Sequence, residues 1–206
     1  MDDVVELADA LGLQRFAVMG VSGGGPYALA CASQIPDRLT AAALVSSLGA
    51  LWLLNSLKDM VTPNRVMFTL GRVSPGLFGA ILPRMVKASL PSLDKHVQAG
   101  TSPVEDLTPE IFAHLANDQK EAVLAGGKGV AFDMRNYWRE WGFRFEDIKT
   151  QVYLWHGEAD DLAPVALVRS IADQIPNCEA HYISGVGHTG TFKYADEILR
   201  TLVNAG

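Results

Sequence analysis

The sequence predicts an α/β fold, an open parallel sheet of about four strands with helices on both faces and a helical insertion. Three observations lead there. Apolar strand-like runs alternate with helix-like runs towards both ends of the chain, the rhythm of a parallel sheet. The pentapeptide Gly20-Val21-Ser22-Gly23-Gly24 stands between one such strand and the helix after it. The loops expected at three strand ends carry, in chain order, a serine, an aspartate and a histidine.

The elements follow in order. Asp2 or Asp3 is placed to cap a short helix whose apolar positions Val4, Leu7, Ala8 and Leu11 recur at helical spacing, and Gly12 ends it. Residues 16–19 form a buried strand leading into the serine turn. The next helix spans 25 to about 34, with Pro26 tolerated in its first turn and Pro36 stopping it. Residues 39–46 are a second apolar strand. From 48 to 146 the rhythm changes to helix-like segments rich in large apolar residues such as Trp52, Leu53, Phe78, Phe112 and Trp138. Breaks are expected at Pro63, Pro75, Pro83, Pro91, Pro103, Pro109 and Gly126-Gly127. Strand rhythm resumes at 152–155. A helix over 164–174, a strand over 180–183 and a last helix over 191–203 complete the chain. The expected organisation is a core of 1–47 and 147–206 carrying a helical cap insertion of 48–146.

Composition excludes several functions. The chain has 206 residues, 49% hydrophobic and 19% charged, which suits a packed core rather than disorder. A net charge of −6, from 17 basic and 23 acidic residues, would repel phosphate backbones, and no basic patch offsets it. Nucleic acid is therefore not an expected partner. The longest apolar stretch, 41–54, is punctuated by Ser46, Ser47 and Gly49 and is too short to span a membrane. The acidic start Met1-Asp2-Asp3 does not resemble a signal peptide. Cys31 and Cys178 lie far apart without metal-type spacing, so a reduced cytoplasmic protein with two core thiols is expected. No metal or cofactor is implied. Gly126-Gly127-Lys128-Gly129 lacks the spacing and the Lys-Ser/Thr ending of a phosphate loop and reads as a break between helices.

In open parallel sheets the reacting groups collect beyond the carboxyl ends of the strands. Here those ends carry Ser22, the run His156-Gly157-Glu158-Ala159-Asp160-Asp161, and Gly185-Val186-Gly187-His188. A serine hydroxyl is a weak nucleophile until a base takes its proton, and imidazole titrates in the right range to do so. A carboxylate on the far ring nitrogen fixes the tautomer and stabilises the imidazolium. Asp161 competes with Asp160 for that role. His156 reads as a hydrogen-bonded loop residue, and His96, His114 and His181 as structural.

On these residues the chain resembles the α/β-hydrolase family, in particular its cofactor-free members with a helical cap. Gly20-Val21-Ser22-Gly23-Gly24-Gly25-Pro26 is similar to the nucleophile turn, His156 to Asp160 with Pro164 to the acid loop, and Gly187-His188 to the histidine loop. Pro36-Asp37-Arg38 and Trp141-Gly142-Phe143 extend the likeness. The resemblance implies Ser22 as nucleophile, Asp160 as orienting acid, His188 as general base and the backbone N–H of Gly23 as an oxyanion donor. It implies a small apolar ester, lactone or related acyl substrate and an acyl-enzyme. The family's earlier strands, and the early loop that supplies a second oxyanion donor, have no counterpart before Ser22. Losing one such donor costs about 10²–10³ in rate, so impaired turnover is expected unless another chain fills the gap. Two alternatives follow: a catalytically silent truncated form that self-associates or binds a partner through its open strand edge, and a cofactor-free perhydrolase using the same triad.

Overall fold

The computed structural model describes residues 1–52, 57–104 and 106–206. Leu53 and Leu54, counted above in the apolar stretch, lie outside the described residues. Four strands, β1 (Phe16–Val21), β2 (Leu39–Val45), β3 (Val152–Gly157) and β4 (Cys178–Ile183), form one parallel sheet in the order β1-β2-β3-β4. The pairing aligns Val21 with Val45, Val45 with Trp155 and Trp155 with His181. The carboxyl ends of the strands are therefore nearly level, and the loops beyond them share one rim of the sheet.

The two faces of the sheet are read most directly from β2, which is buried almost throughout. Ala42 and Leu44 face one cluster with Leu29, Ala32, Leu154, Val168 and Ile171; Ala41, Ala43 and Val45 face the other, with Trp155, Ile198 and Leu202. This is the period of two that a strand imposes on its side chains. Helices α1 (Asp2–Ala10), α2 (Gly25–Gln34) and α7 (Val165–Ala172) supply the first face, through residues such as Val4, Leu29 and Val168, and α8 (Ala195–Asn204) supplies the second. Each fully buried Leu or Ile here contributes about 1.5–3 kcal/mol relative to exposure.

Several boundaries shift. α1 has Met1 rather than an aspartate at its cap; Asp2 and Asp3 occupy the first turn, where their charge complements the helix dipole. Gly12 follows at φ 70°, the left-handed exit its position requires. Strand β1 runs on to Val21 and is not buried: Met19 and Val21 are exposed, since β1 lies at the edge of this four-stranded sheet. A groove of about 420 Å³ runs beside it, lined in part by Phe16, Ala17, Met19, Leu199 and Val203.

The chain divides into two compact units, Met1–Met60 with Glu140–Gly206, and Val61–Arg139. The expected insertion of 48–146 is wider than this second unit because Ala50, Trp52, Trp141, Phe143 and Phe145 pack against the sheet's larger cluster. Trp141 meets Trp52 and Phe145 edge to face, at 4.6 and 5.9 Å between ring centres. The second unit holds α3 (Thr62–Val73), α4 (Pro75–Gln98), α5 (Pro109–Ala122) and α6 (Lys128–Tyr137). Pro83 and Pro91 do not break the chain as expected; both lie inside the 24-residue α4. An internal proline removes one helical donor and crowds the preceding turn. α4 is braced by α3, α5 and α6, and that packing carries the helix through both prolines. The Gly126-Gly127 break is real: Gly126 takes φ 83° and Gly127 precedes α6, its backbone against that of Gly79.

Candidate functional site

The turn after β1 presents Ser22 in a left-handed backbone, φ 52°, at the start of a short 3-10 turn (Ser22–Gly24) that runs into α2. A serine there carries strain on the order of 1–3 kcal/mol, held in place by the surrounding structure. The glycines make the turn possible, though unequally. A Cβ on Gly20 would overlap the Gly24 carbonyl, and one on Gly25 would overlap the Ser47 hydroxyl, whereas one on Gly24 would meet nothing within 4 Å. The close approaches thus fall at Gly20 and Gly25.

The loop after β3 folds back on its own aspartate. Oδ1 of Asp160 accepts the backbone N–H groups of Leu162 and Ala163 at 3.0 and 2.8 Å, leaving Oδ2 for another partner. Gly157 lets the histidine loop pass close by, since a Cβ there would overlap the Val186 carbonyl. The two loops are stitched by the Ala159 N–H donating to the Val186 carbonyl at 3.0 Å.

These loops bring the three expected side chains together. His188 Nδ1 lies 2.7 Å from Asp160 Oδ2, and His188 Nε2 lies 3.1 Å from Ser22 Oγ. A carboxylate only accepts, so the ring proton sits on Nδ1 and the unprotonated Nε2 faces the serine hydroxyl. Asp160 is fully buried at its side chain, while His188 keeps 18% of its own exposed. Asp161 is exposed, and the carboxylate on the ring is that of Asp160. Gly23 follows Ser22 inside the same turn.

His156 lies closer to this chemistry than the sequence suggested. It is completely buried; its Nε2 meets the Ala163 carbonyl at 2.8 Å and lies 3.4 Å from Asp160 Oδ2. Burial lowers its pKa, partly offset by Asp160 and the Ala163 carbonyl, and Nδ1 has no hydrogen-bond partner. A neutral ring with its proton on Nε2 satisfies this arrangement. His181 stacks on Trp155 with 4.8 Å between ring centres, and His96 bonds Thr101. Both thiols are free; burial pushes Cys31 upward and Cys178 to about 11. Burial thus disfavours the thiolate at both. Among the described residues there is no cluster of three or more His, Cys, Asp or Glu placed to hold a metal, and no helix is long and apolar enough to cross a membrane.

Two further residues of the rim have no motif. Ser46, just after β2, is buried with φ 43°, and its hydroxyl meets the His188 carbonyl and Thr191 Oγ1, both at 2.8 Å. Only the strand register, which sets Val45 beside Val21, could have drawn attention to it.

Comparison with known proteins agrees with this architecture. A family model described as the alpha/beta hydrolase fold matches residues 2–193. Among solved structures, an enzyme that degrades N-acyl homoserine lactones is 24% identical, with a TM-score of 0.60 over 98% of this chain and 72% of its own. A hydrolase from Pseudomonas aeruginosa is 16% identical, with a TM-score of 0.62 over 99% of this chain and 69% of its own. A bromoperoxidase from Bacillus anthracis is 16% identical, with a TM-score of 0.59 over 98% and 71%. At these identities the likeness is one of fold. No curated protein matches the sequence.

Proposed function

The chain belongs to the alpha/beta hydrolase fold family, and within it we propose a serine hydrolase that cleaves a small, fairly apolar ester, lactone or related acyl compound through an acyl-enzyme. The observation that carries this reading is the His188 ring, bridging Ser22 Oγ at 3.1 Å and the Asp160 carboxylate at 2.7 Å. In this reading Ser22 Oγ attacks the acyl carbon while His188 Nε2 takes its proton. Asp160 stabilises the imidazolium, and the Gly23 N–H faces the oxygen that gains charge. The tetrahedral intermediate collapses, the C–O bond to the leaving group breaks, and His188 hands its proton to the departing alkoxide. Water then attacks the acyl-serine, His188 takes its proton and returns it to Ser22, and a carboxylic acid leaves.

The lactone option draws support from the lactone-degrading structural neighbour. A perhydrolase would share the acyl-enzyme and differ only in the peroxide that resolves it. The test is an activated ester such as 4-nitrophenyl acetate. A stoichiometric burst, with the acyl group mapped to Ser22 and lost in Ser22→Ala, is the expected outcome. Equal bursts from the two proteins would sink the reading.

A further inference from the structure

Two serines stand side by side at the rim, each one residue past the end of its strand, and each has the left-handed backbone serine rarely adopts: Ser22 at φ 52° and Ser46 at φ 43°. They reach opposite ends of the same residue. Ser22 faces the His188 ring at Nε2, and Ser46 faces the His188 backbone carbonyl. Strain of this kind persists only where neighbouring contacts fix it, and Ser46 has such contacts on three sides. Its N–H donates to the Trp155 carbonyl at 2.9 Å, pinning it to β3. Its hydroxyl meets the His188 carbonyl and Thr191 Oγ1, and Thr191 Oγ1 lies 3.1 Å from the same carbonyl. Two residues on, the Leu48 N–H donates to the Ser22 carbonyl at 2.8 Å, while Ser47 fills the space left by Gly25. A single three-residue turn therefore holds the serine loop with one hand and the histidine loop with the other.

We propose that Ser46, with Thr191, is a positioning residue for His188: the paired hydroxyls fix the histidine backbone, and so the ring, against Ser22 and Asp160. The assignment rests on the Ser22–His188–Asp160 reading above. The shorter contacts give a chain in which the Thr191 hydroxyl donates to Ser46 Oγ and Ser46 donates to the His188 carbonyl. Hydrogen bonds in such a chain polarise and strengthen one another, and both hydroxyls are buried where no bulk water competes. Removing either leaves the His188 loop free to shift, and displacements of about an ångström at a reacting centre cost on the order of a hundredfold in rate.

The experiment compares the parent chain with Ser46→Ala, Ser46→Gly, Thr191→Val and Thr191→Ser. Glycine adopts the left-handed backbone freely, so Ser46→Gly removes the hydroxyl without adding strain and keeps the fold available if Ser46→Ala fails to fold. The primary readout needs no turnover: the downfield proton resonance of His188 Nδ1–H, shared with Asp160. It is expected in the parent and in Thr191→Ser, and broadened or lost in Ser46→Gly and Thr191→Val, with amide spectra otherwise native. The second readout is acylation of Ser22 by 4-nitrophenyl acetate, expected to slow on the order of a hundredfold in the same two variants, with recovery in Thr191→Ser. An unaltered resonance and acylation rate in Ser46→Gly and Thr191→Val would overturn the proposal, as would absence of the resonance from the parent. A parent with the resonance, variants without it, and no ester burst would support the positioning role while overturning the hydrolase reading. A burst with indifferent variants would do the reverse.

Discussion

The two units of the chain bury very different things. In the unit built on the sheet, six polar side chains among the described residues are buried, and five of them, Ser46, Ser47, His156, Asp160 and Thr191, lie at or just beyond the carboxyl ends of the strands or in the histidine loop. In the helical unit over 61–139 every buried side chain among the described residues is apolar, Phe78, Phe112, Ala116 and Met134 among them. Its arginines Arg72, Arg135 and Arg139 line an open groove of about 350 Å³ beside Trp138, with the Arg72 guanidinium 4.8 Å from a Trp138 ring centre. A buried polar group costs free energy unless its partners are in place. The sheet rim accepts that cost repeatedly and, except at His156 Nδ1, satisfies it with fixed geometry. The helical unit avoids it. Small changes at the rim should therefore disturb chemistry out of proportion to stability, and changes in the helical unit should do the opposite.

The largest expected effect tests the first half of that contrast. Asp160→Asn keeps the shape of the loop but offers His188 an amide where it had a carboxylate, so the ring no longer holds its proton on Nδ1. Acylation of Ser22 should fall by about 10⁴ with melting temperature little changed; a loss under tenfold would break the comparison. Next come the glycines of the serine turn. Gly20→Ala places a methyl group against the Gly24 carbonyl and should abolish labelling of Ser22, whereas Gly24→Ala meets no atom and should leave the labelling rate within about twofold. Equal behaviour of the two would mean the crowding at Gly20 is not what shapes the turn. In the helical unit, Gly127→Ala drives a methyl group into the Gly79 carbonyl where α4 and the start of α6 touch. It should cost about 1–3 kcal/mol in urea titrations.

The smallest effect is a slope. His156 is buried and its pKa lies below the ordinary histidine value, so the unfolded chain binds a proton there before the folded one does. Its contribution to stability is complete above about pH 6.5 and is lost as pH falls from there through its lowered folded value. Stability should decline with acidification by up to about 1.4 kcal/mol per pH unit for this one proton. His156→Gln should flatten that limb of the urea midpoint against pH; an unchanged slope would show that His156 is not the group responsible.

The sequence made the sheet and the grouping of Ser22, Asp160 and His188 legible because both rest on local signals. A strand followed by glycines around a serine, or an aspartate three residues past a glycine, can be read within ten residues. Asp160 over Asp161 was legible for the same reason. What was not legible depends on neighbours distant in the chain. Ser46 and Thr191 gain their meaning from a partner more than 140 residues away, in the first case, and from a shared carbonyl. Pro83 and Pro91 read as breaks because local propensity disfavours them, yet packing against three helices carries α4 through. Leu7 and Leu11 obey helical spacing but are exposed, since the stripe they define is wider than the face α1 buries.

The pairing of β2 with β3 has a kinetic side. β1 and β2 are joined by one helix, as are β3 and β4, so each pair can form from nearby chain. Val45 and Trp155, in contrast, meet only after more than a hundred intervening residues have been gathered in. The entropy of closing a loop grows slowly, by about 0.6 kcal/mol per doubling of its length, so the helical segment between them is a delay rather than a prohibition. Contacts of such long range form late on average. Ser22 belongs to the first pair, Asp160 and His188 follow the strands of the second. During folding, then, neither half can hold Ser22 beside His188, and the two meet only in the step that zips the centre of the sheet.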